Sequence, residues 1–418
     1  MTSRLDALFR RTNRVAAGTI KFDLERMRQM LASAGQPERG VPTVLIAGTN
    51  GKGSLTAMWA RALAHEGHTV GCYTSPHLVR FHERIAVNGV PIDDDALAAV
   101  LAALAEHEAR VGIELTFFEA TTFMAFLHYR NAGATALVLE VGMGGRLDAT
   151  NASAPSLSLI TTIGRDHMEH LGESEGEIAR EKAGVMRPGV TTVAGDLSAA
   201  ALGAVRAAAT AIGARLVELG DARDHVACGE RQMAVPSPAM FGAHQRHNAA
   251  LFTLSALAAA GTDVALSEAA IGAGVRAIVP GRYEVREAGG VRFVIDGAHN
   301  GPAMVALRAA ILADPAFTAP RTLIFGGTQG RALAETVLAV SDLFVHVIVC
   351  EPPTERAIPI AEMQQAVPRA RAAGSVREAI AIARTLGANV CVTGSLYLVG
   401  ETLAVLDGGA RDAVSDYR

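Results

Sequence analysis

The run Thr43-Val-Leu-Ile-Ala-Gly-Thr-Asn-Gly-Lys-Gly-Ser54 decides the architecture. Its first five residues form a compact, mostly apolar run that stops at Gly48, the pattern of a buried strand. Residues 55–66 follow with Leu55, Met58, Trp59, Ala62 and Leu63 on one helical face, and Gly67 reads as the stop. A strand, a glycine-rich turn and Lys-Gly-Ser opening a helix is the layout a phosphate site needs. Glycines let backbone N–H groups turn inward, and the helix N-terminus adds positive dipole. Lys52 is placed to reach outer phosphates and the Ser54 hydroxyl to ligate magnesium. The common G-x-x-x-x-G-K-[S/T] loop is longer; only Thr49 and Asn50 separate Gly48 from Gly51-Lys52 here. An ordinary glycine-rich strand-to-helix turn is the other reading.

Working outward, short β-type runs alternate with helical patterns. Residues 69–73, 136–140 and 157–162 read as strands, and 93–110 and 119–131 as helices. The pattern restarts late. Residues 291–295, 322–325, 345–349 and 389–393 read as strands, with a helix opening near Pro302. Such alternation predicts an α/β fold of parallel sheets covered by helices. Val279-Pro-Gly-Arg-Tyr283 is turn-forming, which puts a domain boundary near residue 285: one domain over 1–284, a smaller one over 285–418.

The bulk numbers fit that plan. A chain of 418 residues suggests roughly two or three domains. A net charge of −4 carries no basic excess for nucleic acid. Cys72, Cys228, Cys350 and Cys391 form no CxxC pair and read as buried thiols of a reducing compartment. The N-terminal charges Arg4, Asp6, Arg10 and Arg11 lack the apolar run of a signal peptide. The longest apolar stretch, near 249–260, is too short for a bilayer. A cytoplasmic protein without membrane partners is expected.

Other candidates sit at strand ends, where open α/β sheets bind ligands. Glu140 ends one strand; it is either a magnesium ligand or a surface carboxylate. Asp166-His167 follows another, with the imidazole either structural or a metal ligand. Ser75, in Thr74-Ser75-Pro76-His77, is either turn chemistry or site chemistry. Lys182 closes a helix, where a cation complements the dipole; as a cation it would repel a metal, and only a modified lysine fits a metal cluster. Asp296-Gly-Ala-His299-Asn300 joins a strand to a helix in the second half. Arg282 is either a surface ion pair or a bidentate phosphate contact.

Taken in order, these motifs resemble the folylpolyglutamate synthase and dihydrofolate synthase family of the Mur ligase superfamily. Gly48–Ser54 matches its phosphate loop; Tyr73-Thr-Ser-Pro-His-Leu78 and Phe81-His-Glu-Arg-Ile85 match its folate-side loop. Thr116-Phe-Phe-Glu119, Glu140-Val-Gly-Met-Gly-Gly-Arg-Leu-Asp-Ala-Thr-Asn151, Asp166-His167, Glu181-Lys-Ala-Gly184, Pro280-Gly-Arg282, Asp296-Gly-Ala-His-Asn300 and Gly394-Ser-Leu-Tyr397 follow in the family's order. The resemblance implies an N-terminal P-loop ATPase-type domain and a smaller Rossmann-like C-terminal domain. It implies an ATP-dependent ligase that adds L-glutamate to dihydropteroate, to the γ-carboxylate of reduced folates, or to both. The route is an acyl phosphate, with release of ADP and phosphate.

The resemblance also implies roles. Asn50, Gly51, Lys52, Gly53, Ser54, Asn248, Arg282 and Asp296 would contact ATP, with Lys52, Asp296 and His299 in the chemistry. Ser54, Ser75, Glu140, His167 and a carbamylated Lys182 would serve two magnesium sites, and a potassium ion is admitted. Lys21, Phe22, Asp23, Ser75, His77, Thr116, Phe117, Phe118, Glu119, Leu147, Asp148 and Ala149 would meet the substrate. A monomer is expected. Gly326-Gly-Thr-Gln-Gly-Arg331 departs from the acidic-lysine-acidic stretch common in relatives, and Gln245-Arg-His-Asn248 lacks a proline that some carry. Two competing functions remain at this point. One is a Mur-type ligase acting on a nucleotide-linked sugar. The other is an ATP-gated binding protein without ligation.

Overall fold

Strands buried on both faces need apolar residues throughout, and the central runs supply them. The computed structural model describes residues 2–11, 24–221 and 223–412. Its strands in chain order are β1 (Thr43–Ala47), β2 (Val70–Tyr73), β3 (Ile85–Val87), β4 (Val90–Pro91), β5 (Ala136–Glu140), β6 (Leu157–Ile160), β7 (Thr191–Ala194) and β8 (Arg215–Glu218). They form one sheet in the order β4-β3-β2-β5-β1-β6-β7-β8. Only the β2–β3 and β3–β4 pairings are antiparallel. Every residue of β1 and β5 is buried, so the phosphate loop springs from the middle of the sheet.

A hairpin, β9 (His225–Cys228) and β10 (Arg231–Ala234), precedes the second sheet. That sheet comprises β11 (Glu284–Ala288), β12 (Val291–Ile295), β13 (Arg321–Phe325), β14 (His346–Val349), β15 (Arg371–Ala372) and β16 (Asn389–Thr393). Its order is β11-β12-β16-β13-β14-β15, parallel except for β11–β12. Helices cover both sheets and bury an apolar layer on each face. The α/β class with mostly parallel sheets is as the alternation predicts.

Several boundaries move for local reasons. The helix expected from residue 55 starts at Lys52 (Lys52–His65), because Gly51 takes φ 90° and turns the chain into it early. Lys52, Gly53 and Ser54 therefore form its opening turn. The strand expected over 157–162 ends at Ile160. Thr161 and Thr162 turn their hydroxyls onto the Asn50 carbonyl instead, at 2.6 and 3.2 Å. The alanine-rich stretch lies in a buried helix, Ala243–Ala258, packed against β7, β9 and the Lys52 helix. Among the described residues no helix is long and apolar enough to cross a membrane. Lys21, Phe22 and Asp23 lie outside the described residues.

Trp59 locks the Lys52 helix to that buried helix. Its ring meets Phe252 edge-on at 5.5 Å, and its indole N–H donates to Ser255 Oγ at 3.1 Å. Ser255→Ala leaves this buried donor unpaired and should cost about 1–3 kcal/mol. Trp59→Ala should cost about 3–5 kcal/mol. Denaturant midpoints at constant slope measure both, and an unshifted midpoint in either variant contradicts this packing.

Candidate active site

The phosphate loop is built from what its glycines allow. A Cβ at Gly48 would overlap the Thr161 side chain, and one at Gly51 would lie 2.7 Å from Asn248 Oδ1. Both sites have positive φ as well. The loop is fastened at Asn50, whose N–H donates to Thr162 Oγ1 at 3.0 Å. Lys52 folds back over it, donating to the carbonyls of Gly48 and Thr49 at 3.0 and 3.1 Å.

A second lysine reaches the same carbonyl. Lys182 ends the helix Glu175–Ala183, is buried, and donates to Gly48 O at 2.9 Å. Burial and then the nearby Lys52 charge push its amine down to about 7. The helix-dipole reading of Lys182 therefore fails. Its side chain runs inward to the phosphate loop.

Glu140 stands at the carboxyl end of β5, 3.8 Å from where a Cβ on Gly53 would sit. It is buried and accepts the Ser75 N–H at 3.3 Å. Burial raises its pKa, opposed by Lys52, that N–H, Arg282 and Arg84. The surface-carboxylate reading is excluded. Asp166 and His167 follow β6. Burial raises Asp166, but Arg331, His167 and His299 hold it well below the usual carboxylate range. Burial drives His167 down to about 4, so the imidazole is neutral at neutral pH.

The second sheet's domain closes the site. Asn50 and Asn300 exchange two amide hydrogen bonds, both 3.1 Å. Arg331 donates to Asp166 Oδ1 at 3.0 Å and to Thr328 Oγ1 at 2.9 Å. Asp296 is buried after β12 and accepts from the N–H groups of Tyr283 and Ala298. His299 Nδ1 donates to Gly297 O at 2.6 Å, which leaves Nε2 as a lone pair. Burial and Arg331 push that ring down to about 3.

One cleft of about 440 Å³ gathers Asn50 to Ser54, Ser75, Glu140, His167, Lys182, Asn248, Arg282, Asp296 and His299. Other expected positions stand behind its wall. His77 is buried, receives the Arg84 Nε–H at 2.9 Å and packs on Phe9 and Phe81. Thr116 and Glu119 cap the helix Phe117–Asn131 reciprocally, with Phe117 and Phe118 in the core. Asp148, between Leu147 and Ala149, binds the N–H groups of Gly142, Met143 and Thr150, so it shapes the loop after Glu140.

Sequence reasoning missed some of the cleft. Arg331 and Arg356 line it although their segments carry no matching motif. Position supplied a signal for Arg331, which follows a strand end. His244 also lines it, one turn before Asn248.

The donor set bears on a metal. Among the described residues, no three His, Cys, Asp or Glu side chains converge as a preformed metal site. Hard divalent cations take oxygen donors. The cleft offers the Glu140 carboxylate and the Ser54 and Ser75 hydroxyls, and Ser75 Oγ is buried without a partner. These residues fit a cation that arrives with its own phosphate and water ligands.

Comparison with known proteins agrees with this geometry. The Mur ligase middle domain matches residues 46–189, and the Mur ligase glutamate ligase domain matches residues 281–396. The dihydrofolate synthase/folylpolyglutamate synthase of Bacillus subtilis is 38% identical over 302 residues, covering 67% of this chain and 70% of that protein. Escherichia coli FolC in complex with DHPP and ADP superposes with a TM-score of 0.84 at 29% identity, covering 97% of each chain. A bifunctional folylpolyglutamate synthase/dihydrofolate synthase with Mn, AMPPNP and L-glutamate bound gives 0.82 at 28% identity, over 93% of this chain and 95% of that one. The chain belongs to the dihydrofolate synthase/folylpolyglutamate synthase family of Mur ligases.

Proposed function

We propose that the protein is an ATP-dependent ligase that joins the amine of L-glutamate to the carboxylate of dihydropteroate, of a reduced folate, or of both. One observation carries this reading. A phosphate loop, a buried carboxylate and a depressed lysine on one domain face Asp296, His299 and Arg331 on the other, across a single cleft. Relatives with the same fold hold ADP, AMPPNP, Mn, DHPP and L-glutamate.

A carboxylate is not electrophilic at neutral pH, so it must be activated before an amine can attack. In this reading it attacks the γ-phosphate in line, and ADP leaves. Two anions approach each other, so cationic charge is required where they meet. Lys52 supplies it, once its ammonium moves from the loop carbonyls to phosphate oxygens. Gly51, Gly53 and Ser54 cradle the phosphates with backbone N–H groups, and Asn50, fastened to Thr162, holds the turn before them. Asn248, Arg282 and Asp296 hold the rest of the nucleotide. Ser54, Ser75, Glu140, His167 and a carbamylated Lys182 would hold magnesium, which screens the phosphate charge during transfer. The glutamate amine then attacks the acyl carbon, and phosphate departs from the tetrahedral intermediate. His299 Nε2 is too weak a base to keep a proton, so its role is to orient that amine. Closure of the cleft keeps water from the acyl phosphate. His77 and the 116–119 and 147–149 segments support the pterin side from behind. All these groups come from one chain divided near residue 285, which fits a monomer.

Lys182 is suited to its modification by chemistry. Only a neutral amine adds carbon dioxide, and burial leaves this one largely neutral above about pH 7. The carbamate replaces a cation with an anion where a metal is needed.

ADP release should require ATP, glutamate and a pteroate or folate together. Comparing dihydropteroate with tetrahydrofolate reveals the acceptor. Lys52→Ala or Glu140→Ala should lower kcat by about 10²–10³ or more; near-normal turnover in both sinks the assignment. The carbamate should accumulate as pH rises through about 7 and be lost below it, because a protonated amine cannot form it. Native mass spectrometry across pH with bicarbonate reads this directly. An unmodified Lys182 at pH 8 removes it from the metal site.

A further inference from the structure

The loop after β2, residues 74–84, carries Ser75 and His77, and its own hydrogen bonds make it stiff. Glu83 accepts the N–H groups of Leu78, Val79 and Arg80 at 2.7–3.0 Å. The Thr74 hydroxyl donates to the Glu83 carbonyl at 3.1 Å. Ser75 is tied to Glu140 through its N–H. A displacement anywhere in this loop is therefore felt at Ser75.

The far end of the chain grips it. The Asp412 N–H donates to Val79 O at 2.8 Å, and Asp412 Oδ2 accepts the Phe81 N–H at 2.9 Å. Arg411 Nε donates to Leu78 O at 2.5 Å while its guanidinium lies 5.2 Å from the Tyr397 ring centroid. Tyr397 belongs to the cleft wall. Leu78 is also seated sterically. A Cβ on Gly400, in the helix Leu396–Leu406, would overlap the Leu78 carbonyl, and one on Gly281 would stand 3.2 Å from Leu78 Cδ1. The loop, the connection between the domains and the end of the chain meet at one leucine.

We propose that Arg411 and Asp412 are positioning residues of the reaction. They fasten the loop that presents Ser75 and His77, so that this loop is held in place by hydrogen bonds from the far side of the second sheet's domain. This rests on the ligase reading above. Neither residue touches the phosphate loop, so nucleotide affinity should not register their loss.

Steady-state ADP release tests this in the full chain, with ADP affinity measured by calorimetry. Asp412→Ala should raise KM for the pteroate or folate about tenfold, the scale of one to two net hydrogen bonds. ADP affinity should stay at the wild-type value. Asp412→Asn keeps a side-chain oxygen for the Phe81 N–H and should restore KM. Gly400→Ala removes no hydrogen-bonding group and brings in a better helix former, yet it should raise the same KM by displacing Leu78 and the Arg411 side chain that holds it. If Asp412→Ala does not fold, Arg411→Ala takes its place with the same expectation. Wild-type KM in the alanine variant, equal loss in Ala and Asn, or a parallel loss of ADP affinity overturns the proposal. Absence of folate- and glutamate-dependent ADP release in the wild type is a different outcome, which overturns the ligase reading itself.

Discussion

Two amines converge on one carbonyl, that of Gly48, and the site depends on how that crowding is resolved. Lys52 and Lys182 both donate to it. Two full ammonium charges so close would repel strongly in a buried setting. One must give way, and burial selects Lys182, whose amine is pushed down to about 7 while it stays within reach of the loop. Lys52 lies part-buried at the mouth of the loop, and Lys182 is the more deeply buried of the two. The loop can hold both only because Gly48 and Gly51 let Thr161 and Asn248 approach where side chains would stand.

From that point the structure is organised by what crosses the cleft. The Arg331–Asp166 pair and the exchanged amides of Asn50 and Asn300 join the domains close to the phosphate loop. The last described residues join them again at the loop after β2. Asp166 illustrates the coupling. It follows a strand of one domain, yet the strongest influence opposing its burial is an arginine of the other.

Much of this was legible in the sequence because it is local. The central strands are continuous apolar runs, and the glycines of 48–53 announce a turn that other residues cannot make. The β3–β4 and β9–β10 strands were not read, since they are two to four residues long, too short to show a period, and all but β3 are largely exposed. Among candidate site residues, Glu140, His167 and Asp296 were flagged by their places at strand ends, with structural readings left open, and the resemblance to the family supplied their roles. Arg331 was not assigned, because its partner lies 165 positions away and nothing near either residue encodes the distance. The roles of Thr116, Glu119 and Asp148 illustrate the opposite limit. Motif matching drew attention to them for the substrate, but Thr116-Phe-Phe-Glu119 is equally a capping-box sequence, and their polar groups are taken up by capping and loop-shaping.

The Asn50–Asn300 pair has a consequence for how such proteins can be recombined. Each amide supplies one donor and one acceptor, so the contact is uncharged and symmetric. Salt and acidity reach it only through the Asp166 carboxylate, to which the Asn300 amide also donates. It works only if both halves carry an amide at matching positions. A hybrid assembled from the nucleotide half of one relative and the terminal half of another would inherit a working cleft only where this two-letter agreement is preserved. The boundary between the halves is thus held in part by a pair of neutral side chains, one from each.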